Sequence, residues 1–213
     1  TLSAYHLFKR EQDQAIQDLN ALIERYPADS AGLSNLALAH FYRREMTRAS
    51  ELGRRVVDIY PKNVFYRTNL ALYAMYAGEV ETARAEAERV LKDSPGYPKA
   101  LLALAITSVM AGDRDEAARV YREMASRNSS LAAAGLGDAA LFEGRPADAI
   151  PILSKGADDD LEGKSDTAAA RKLTALARAH LELGQSREAL AAATRAVSLS
   201  RRRRSHPRRT NRT

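Results

Sequence analysis

The stretch VFYRTNLALYAMYAGEVETARAEAERVLKDSPG, residues 64–96, decides how the whole chain is read. Apolar residues recur three and four apart over about 64–77 and again over 80–93, with Gly78-Glu79 between the two runs. That is the pattern of two amphipathic helices joined by a tight turn, and Ser94-Pro95-Gly96 stops the second. The skeleton of the stretch is Leu70-Ala71, Gly78, Ala83, Val90-Leu91 and Pro95. It occurs 34 residues earlier at Leu36-Ala37, Ala49, Val56-Val57 and Pro61, and 34 later at Leu104-Ala105, Gly112, Ala117 and Met124. A fixed period of this length marks stacked helix–turn–helix units, none of which can bury its apolar face alone.

Numbering each unit from 1 to 34 exposes columns. Position 7 is Leu2, Leu36, Leu70, Leu104, Leu136 and Leu176. Position 8 is Ser3, Ala37, Ala71, Ala105, Gly137 and Ala177, and position 20 is Ala15, Ala49, Ala83, Ala117, Ala149 and Ala189. Positions 4, 7, 8 and 11 share one face of the first helix at about 100° per residue. The two small columns let paired helices approach closely, because no side chain beyond a methyl or hydroxymethyl stands at the crossing. Position 15 is Arg10, Arg44, Gly78, Gly112, Gly144 and Gly184, where glycine supplies the left-handed backbone of a helix terminus. Suitable N-caps are Asp29 or Ser30, Thr47, Asp113 or Asp115, and Ser165 or Asp166.

The period then breaks. It shortens to 32 from Gly112 to Gly144, around Asn128-Ser129-Ser130, and lengthens to 40 from Gly144 to Gly184. The added residues accompany Pro151, Gly156, Asp158-Asp159-Asp160 and Gly163. Pro151 is expected to kink its helix, and the acidic run to lie in a solvated loop. Residues 150–165 should therefore open locally before their neighbours.

These residues resemble the tetratricopeptide repeat (TPR) family over about residues 1–200. The family pattern has a small residue at position 8, Ala at 20 and Pro at 32; Pro27, Pro61 and Pro95 supply the last in the first three units. Position 24 departs from it at Gly53, Ala87 and Ala193, where a larger side chain is usual and packing is expected to be thinner. The resemblance implies an all-α chain, a right-handed α-solenoid of about six TPR helix–turn–helix units. The units fall at about 1–29, 30–63, 64–97, 98–129, 130–169 and 170–200, followed by a disordered Arg-rich tail at 201–213. A narrower likeness, in Tyr60-Pro61-Lys62-Asn63-Val64, Ala74-Met75-Tyr76-Ala77-Gly78 and Asp148-Ala149-Ile150-Pro151-Ile152-Leu153, is to TPR arrays attached to bacterial serine/threonine protein kinases. A Gly-rich nucleotide loop, a His-Arg-Asp and an Asp-Phe-Gly motif are all lacking, so a catalytic domain would lie outside this chain.

Composition agrees with helix throughout: 45% of the 213 residues are hydrophobic, Gly and Pro are sparse, and Ala, Leu, Arg and Glu dominate. The chain has no cysteine, which removes disulfides and thiolate metal sites and is compatible with a reducing, cytoplasmic setting. No apolar run approaches the roughly 20 residues that span a bilayer. Net charge is +6, but residues 201–213 hold seven arginines and no acid, leaving 26 basic against 27 acidic residues elsewhere. The basic character thus belongs to the tail, and nucleic acid or an acidic membrane surface would be met only there. Thr1–Arg10 reads as the second half of a first helix, so the chain is expected to be a piece of a longer protein.

Catalysis and metal binding find no support. His6, His40 and His180 all fall at position 11, spaced along the repeats rather than convergent, and read as packing residues with a polar tip. Asp158-Asp159-Asp160 lacks the alternating oxygen ligands of a calcium loop. We expect no catalytic residue, no metal and no cofactor. Family members that grip a C-terminal carboxylate use Lys at position 5 and Asn at 9, then Asn at 6 of the next unit. Asn35 and Asn69 match, but Ser34 and Leu38, and Thr68 and Leu72, stand where the partners belong. Of the third unit's Lys and Arg only Lys99 is present, with Ala103 at the other place.

The binding surface is expected on the first helices. Positions 9 and 13 point about 140° to 170° away from the 7/8/11 face. They carry Phe8, Leu38, Tyr42, Leu72, Tyr76, Ile106, Met110 and Phe142, with charged Asp138, Arg178 and Glu182 toward one end. The competing reading makes the whole stripe inter-repeat core. An apolar groove of this kind should hold an apolar helix or extended segment of a protein or peptide partner. The function expected is a non-catalytic protein-binding scaffold, the interaction segment of a larger bacterial protein. The alternatives are a regulatory or sensor region of a bacterial kinase and an Arg-tail binder of nucleic acid or membrane. The oligomeric state is left open by the sequence. If Ala71 and Ala83 share a helix crossing, Ala83→Leu should overpack it and cost about 1–3 kcal/mol in a denaturant or thermal melt.

Overall fold

Why the period becomes helix pairs is visible at the turns. The computed structural model describes residues 11–205, with side chains to Arg201. Eleven α-helices and no strand occupy the described residues. In chain order they are α1 Gln12–Arg25, α2 Ser30–Tyr42, α3 Met46–Ile59, α4 Val64–Ala77, α5 Val80–Asp93, α6 Pro98–Met110, α7 Arg114–Ala125, α8 Ser129–Phe142, α9 Pro146–Glu162, α10 Asp166–Glu182 and α11 Ser186–Ser205. Gly78, Gly112, Gly144 and Gly184 have φ of +79°, +77°, +71° and +73°, and Arg44 takes the same conformation at +63°. The left-handed residue reverses the chain in two or three residues, so consecutive helices must lie antiparallel.

Asp29 caps α2, its side chain accepting from the amides of Ala31 and Gly32. Asn63 caps α4 through Tyr66, Asn128 caps α8 through Leu131, and Asp113 accepts from Glu116 at the start of α7. Thr47 is not a cap: α3 begins at Met46, with Glu45 at its N-cap and no side-chain capping bond.

The described helices gather into two compact units, up to Val120 and from Tyr121 onward, the division falling inside α7. In the first unit α2 pairs with α3 and α4 with α5; α3 packs on α4 and α5 on α6, and α4 also meets α6. In the second, α8 pairs with α9 and α10 with α11, α9 packs on α10, and α8 also meets α10. First helices such as α4 and α8 therefore touch both their own partner and the first helix of the next pair.

The small columns are buried throughout the described residues. Ala15, Ala49, Ala83, Ala117, Ala149 and Ala189 are all buried, as are Ala37, Ala71, Ala105, Gly137 and Ala177. At Gly137 an added Cβ would stand 2.4 Å from Leu153 Cδ2, so glycine is what permits that approach. Leu136 is the exception in its column, only half buried. Gly53 is not a weak point: a Cβ there would lie 3.3 Å from Tyr73 and 3.4 Å from Leu70, whose side chains fill the space a larger residue would take.

The break in period corrects the expectation of a solvated acidic loop. The added residues form no loop; they lengthen both flanking helices, α9 and α10, to 17 residues against 13 or 14 in α2 to α6. Pro151 lies in the second turn of α9, exposed, and the helix runs on through Glu162. The carbonyl of Ala147 loses its partner amide there, at an exposed residue near the N-terminal end of the helix. Asp158, Asp159 and Asp160 are helical, and Asp160 is buried rather than solvated. Of the features expected to weaken residues 150–165, the acidic loop is absent, while Pro151 and Gly156 lie within α9.

Asp160 is buried because Lys172 of α10 meets it. The Lys172 ammonium donates to Asp160 Oδ2 at 2.5 Å and to Ser130 Oγ at 2.9 Å, tying α8, α9 and α10 together in the interior of the second unit. Gly156 makes room for it: a Cβ there would stand 3.0 Å from the Lys172 stem and 2.8 Å from Ala133. At the C-terminal end α11 continues to Ser205, and the rest of the tail lies outside the described residues. Removing one partner of a buried ion pair leaves the other charge stranded. Asp160→Ala should lower unfolding free energy in urea by about 3–5 kcal/mol, and adding Lys172→Met should restore most of it.

Candidate functional site

The stripe expected on the first helices is on the surface. Tyr42 on α2, Tyr76 on α4 and Met110 on α6 are 55%, 55% and 43% exposed. One turn earlier on each helix Leu38, Leu72 and Ile106 are half buried. The reading of the whole stripe as inter-repeat core therefore fails for position 13 in the first unit. Phe142, 71% exposed on α8, occupies the same column in the second unit. Phe8 lies outside the described residues, as do His6 and the rest of Thr1–Arg10.

The reason position 13 stays exposed lies in its neighbour. Position 12 turns toward the next first helix: Met75 and Leu141 are buried, and the Phe41 ring lies 5.3 Å from both Tyr73 and Tyr76. Phe41 thus fills the gap between α2 and α4 and braces the inner edge of Tyr76, whose other side remains open to solvent. Tyr73 is buried, and burial, with Tyr42 nearby, pushes its phenol above the usual range. The face so built is apolar, with two phenol hydroxyls at its edge. It can cover an apolar segment and offer it hydrogen bonds; among the described residues it brings together no acid–base pair for bond-making.

The histidines act at the turns. His40 Nδ1 lies 2.5 Å from Glu45 Oε2, and His180 Nδ1 lies 2.6 Å from Gln185 Oε1, each joining the end of a first helix to the start of its partner. The bond with His40 holds the Glu45 carboxyl below its usual value, with the Arg43 cation adding to it. Among the described residues no three His, Asp or Glu side chains are grouped to hold a metal ion, and no helix is long and apolar enough to cross a membrane.

The charged members of the same columns lie in the second unit. Asp138, Arg178 and Glu182 are exposed, and Arg178 donates to Glu182 at 2.7 Å. Asp138, exposed along one side, is flanked closely enough by protein that lost hydration raises its carboxyl, opposed by the cations of Arg178 and Lys172. A cleft of about 350 Å³ in the first unit is lined by Arg54, Arg67 and Arg89. It is no anion site, because Arg54 is paired with Glu79 and both Arg67 and Arg89 with Glu86. The pair Lys172–Asp160 was missed from the sequence. Its signal is present in retrospect: Lys172 falls on the buried stripe of α10 with Ala169, Leu173 and Leu176.

Comparison with known proteins agrees with this geometry. One tetratricopeptide repeat model matches residues 74–129 and another matches 5–64 and 109–162. No curated protein sequence matches the chain. Among solved structures it is similar to PilW, a widely conserved type IV pilus biogenesis factor, with a TM-score of 0.69 and 17% identity over 97% of this chain and 92% of that one. A thermophilic TPR protein from Thermus thermophilus gives 0.67 and 18% identity over 83% and 94%. MamA gives 0.58 and 14% identity over 97% and 98%. Identities this low carry the fold and nothing finer. The exposed and buried tyrosines should separate in stability: Tyr42→Ala should shift unfolding free energy by no more than about 0.5 kcal/mol. Tyr73→Ala should lower it by several kcal/mol, about as much as other aromatic truncations in cores.

Proposed function

The chain belongs to the tetratricopeptide repeat family, and from that premise we propose that it is a non-catalytic protein-interaction scaffold that holds an apolar peptide segment across its first helices. The observation that carries this reading is the column Tyr42, Tyr76 and Met110, left open on three consecutive first helices beside half-buried Leu38, Leu72 and Ile106. Such a row gains by being covered. Burying the open half of one tyrosine removes about 100 Å² from water, worth on the order of 2 kcal/mol. The rings are also held in place by Phe41 and the helices beneath, so little ordering entropy opposes binding. An apolar helix with anchors three and four residues apart, or an extended segment with alternate apolar side chains, fits the row; a charged C-terminal tail does not.

Selection of a displayed random peptide library on the full chain tests the proposal. Enriched peptides should be apolar at helical or alternating spacing, and the double variant Tyr42→Ala, Tyr76→Ala should weaken them at least about tenfold while its circular-dichroism melt stays in place. Enrichment of acidic peptides, or binding indifferent to the double variant, would remove this face from consideration.

A further inference from the structure

Two columns change together at one place in the chain. Position 6 of the first helix reads Thr1, Asn35, Asn69, Ala103, Gly135 and Ala175, and position 24 of the second reads Leu19, Gly53, Ala87, Tyr121, Leu153 and Ala193. The one glycine of the first column and the one tyrosine of the second face each other. A Cβ at Gly135 would stand 2.5 Å from Tyr121 Cζ and closer still to Cε1, so the ring from α7 lies directly on the α8 backbone. Any side chain at 135 would keep it off. Cζ is the carbon that carries the phenol oxygen, so the hydroxyl end of the ring is what reaches over α8.

The face it reaches also carries Asp138 and Phe142. Three and seven residues beyond Gly135, at about 100° per residue, they fall within about 60° of it around the helix. Tyr121 is 2% exposed, whereas Asp138 and Phe142 open to solvent. Neither the Tyr121 hydroxyl nor the Asp138 carboxylate has a hydrogen-bond partner among the described residues. Burial pushes the Tyr121 phenol up to about 12, and the charge of Asp138 adds to the rise, which sets the two groups near each other. The cations around Asp138 are engaged elsewhere: Arg178 donates to Glu182, and Lys172 to Asp160 and Ser130. A phenol oxygen on a buried ring and a partly dehydrated carboxylate are thus two acceptors still open to a donor, and supplying one offsets the hydration they have lost.

We infer that this face of α8 is a subsite for an arginine side chain of a bound peptide, the guanidinium donating to the Asp138 carboxylate and the Tyr121 oxygen and lying against the Phe142 ring. Charge selects a cation. Asp138 and Glu182 stand against Arg178 alone, which leaves the face with an excess of negative charge. Shape selects arginine over lysine. A planar fork of donors can serve two acceptors at once and stack on an aromatic face, whereas an ammonium is a compact point charge that holds its water tightly. The inference rests on the reading of the chain as a peptide scaffold and adds the chemistry of one side chain that the peptide carries. Its residues all belong to the second unit, and none to the row Leu38 to Met110.

Titration of the full, isotope-labelled chain with N-acetyl-arginine methylamide, followed by NMR, tests it. The matching lysine and citrulline compounds serve as controls, citrulline being the uncharged isostere. Amide shifts at Gly135, Asp138 and Phe142 should saturate with a dissociation constant of about 1–10 mM for arginine. Lysine should bind at least about threefold more weakly, and citrulline should give no saturating shift. Asp138→Asn should weaken arginine at least about tenfold, and Tyr121→Phe, which keeps the ring over Gly135, about threefold, both with the thermal melt in place. Absence of saturation at these amides would overturn the subsite. So would equal binding of lysine or citrulline, or indifference to either substitution. The titration does not touch the apolar row: dependence of selected peptides on Tyr42 and Tyr76 survives its failure, and loss of that dependence leaves the titration unchanged, so the two readings fall separately.

Discussion

Everything in this chain depends on how closely two helices can approach at one crossing per repeat. An alanine at position 20 of the second helix and an alanine or glycine at position 8 of the first leave almost nothing between the backbones. At Gly137 and Leu153 the approach is so tight that even a methyl would collide. That closeness sets the depth of every other column. It draws Leu36, Leu70, Leu104 and Leu176 into the interior and rotates position 13 outward on the same helices. A larger residue at the crossing would separate the pair and alter each neighbouring interface, because a repeat stack has no other core.

The exposed apolar row follows from the same constraint. With positions 7, 8 and 11 turned toward the partner helix, and position 12 turned toward the next repeat, positions 9 and 13 are what remains. Phe41 shows how the two roles are kept apart: one ring fills the inter-repeat gap and supports Tyr76, which stays half exposed. The rigidity of the face is inherited from packing, and its openness from the helical step. Neither requires a loop or a mobile element.

The second unit solves a different problem. Additional residues in a repeat would misalign the columns if they were inserted into a single helix. Here they extend α9 and α10 together, so the two remain in register with each other. The lengthened helices bring Lys172 and Asp160 face to face in the interior, with Ser130 taking another ammonium proton in a hydrogen bond. A buried ion pair is a poor source of net stability, but it disfavours sliding of one helix past the other, because any slip strands a charge.

What the sequence determined by itself is whatever depends on local periodicity. A 34-residue spacing, small residues at two fixed positions and glycine at a third specify helices, turns and buried stripes, since each follows from a step of about 100° and the sterics of one residue. The outward turn of Tyr42, Tyr76 and Met110 was legible for the same reason. Only the tertiary structure decided the fate of Asp158 to Asp160, which read as a solvated acidic loop. Whether a carboxylate is buried depends on what lies opposite, and the cation opposite Asp160 comes from another helix. Local pattern tells which face of a helix is apolar; what stands against that face is a property of the assembled chain.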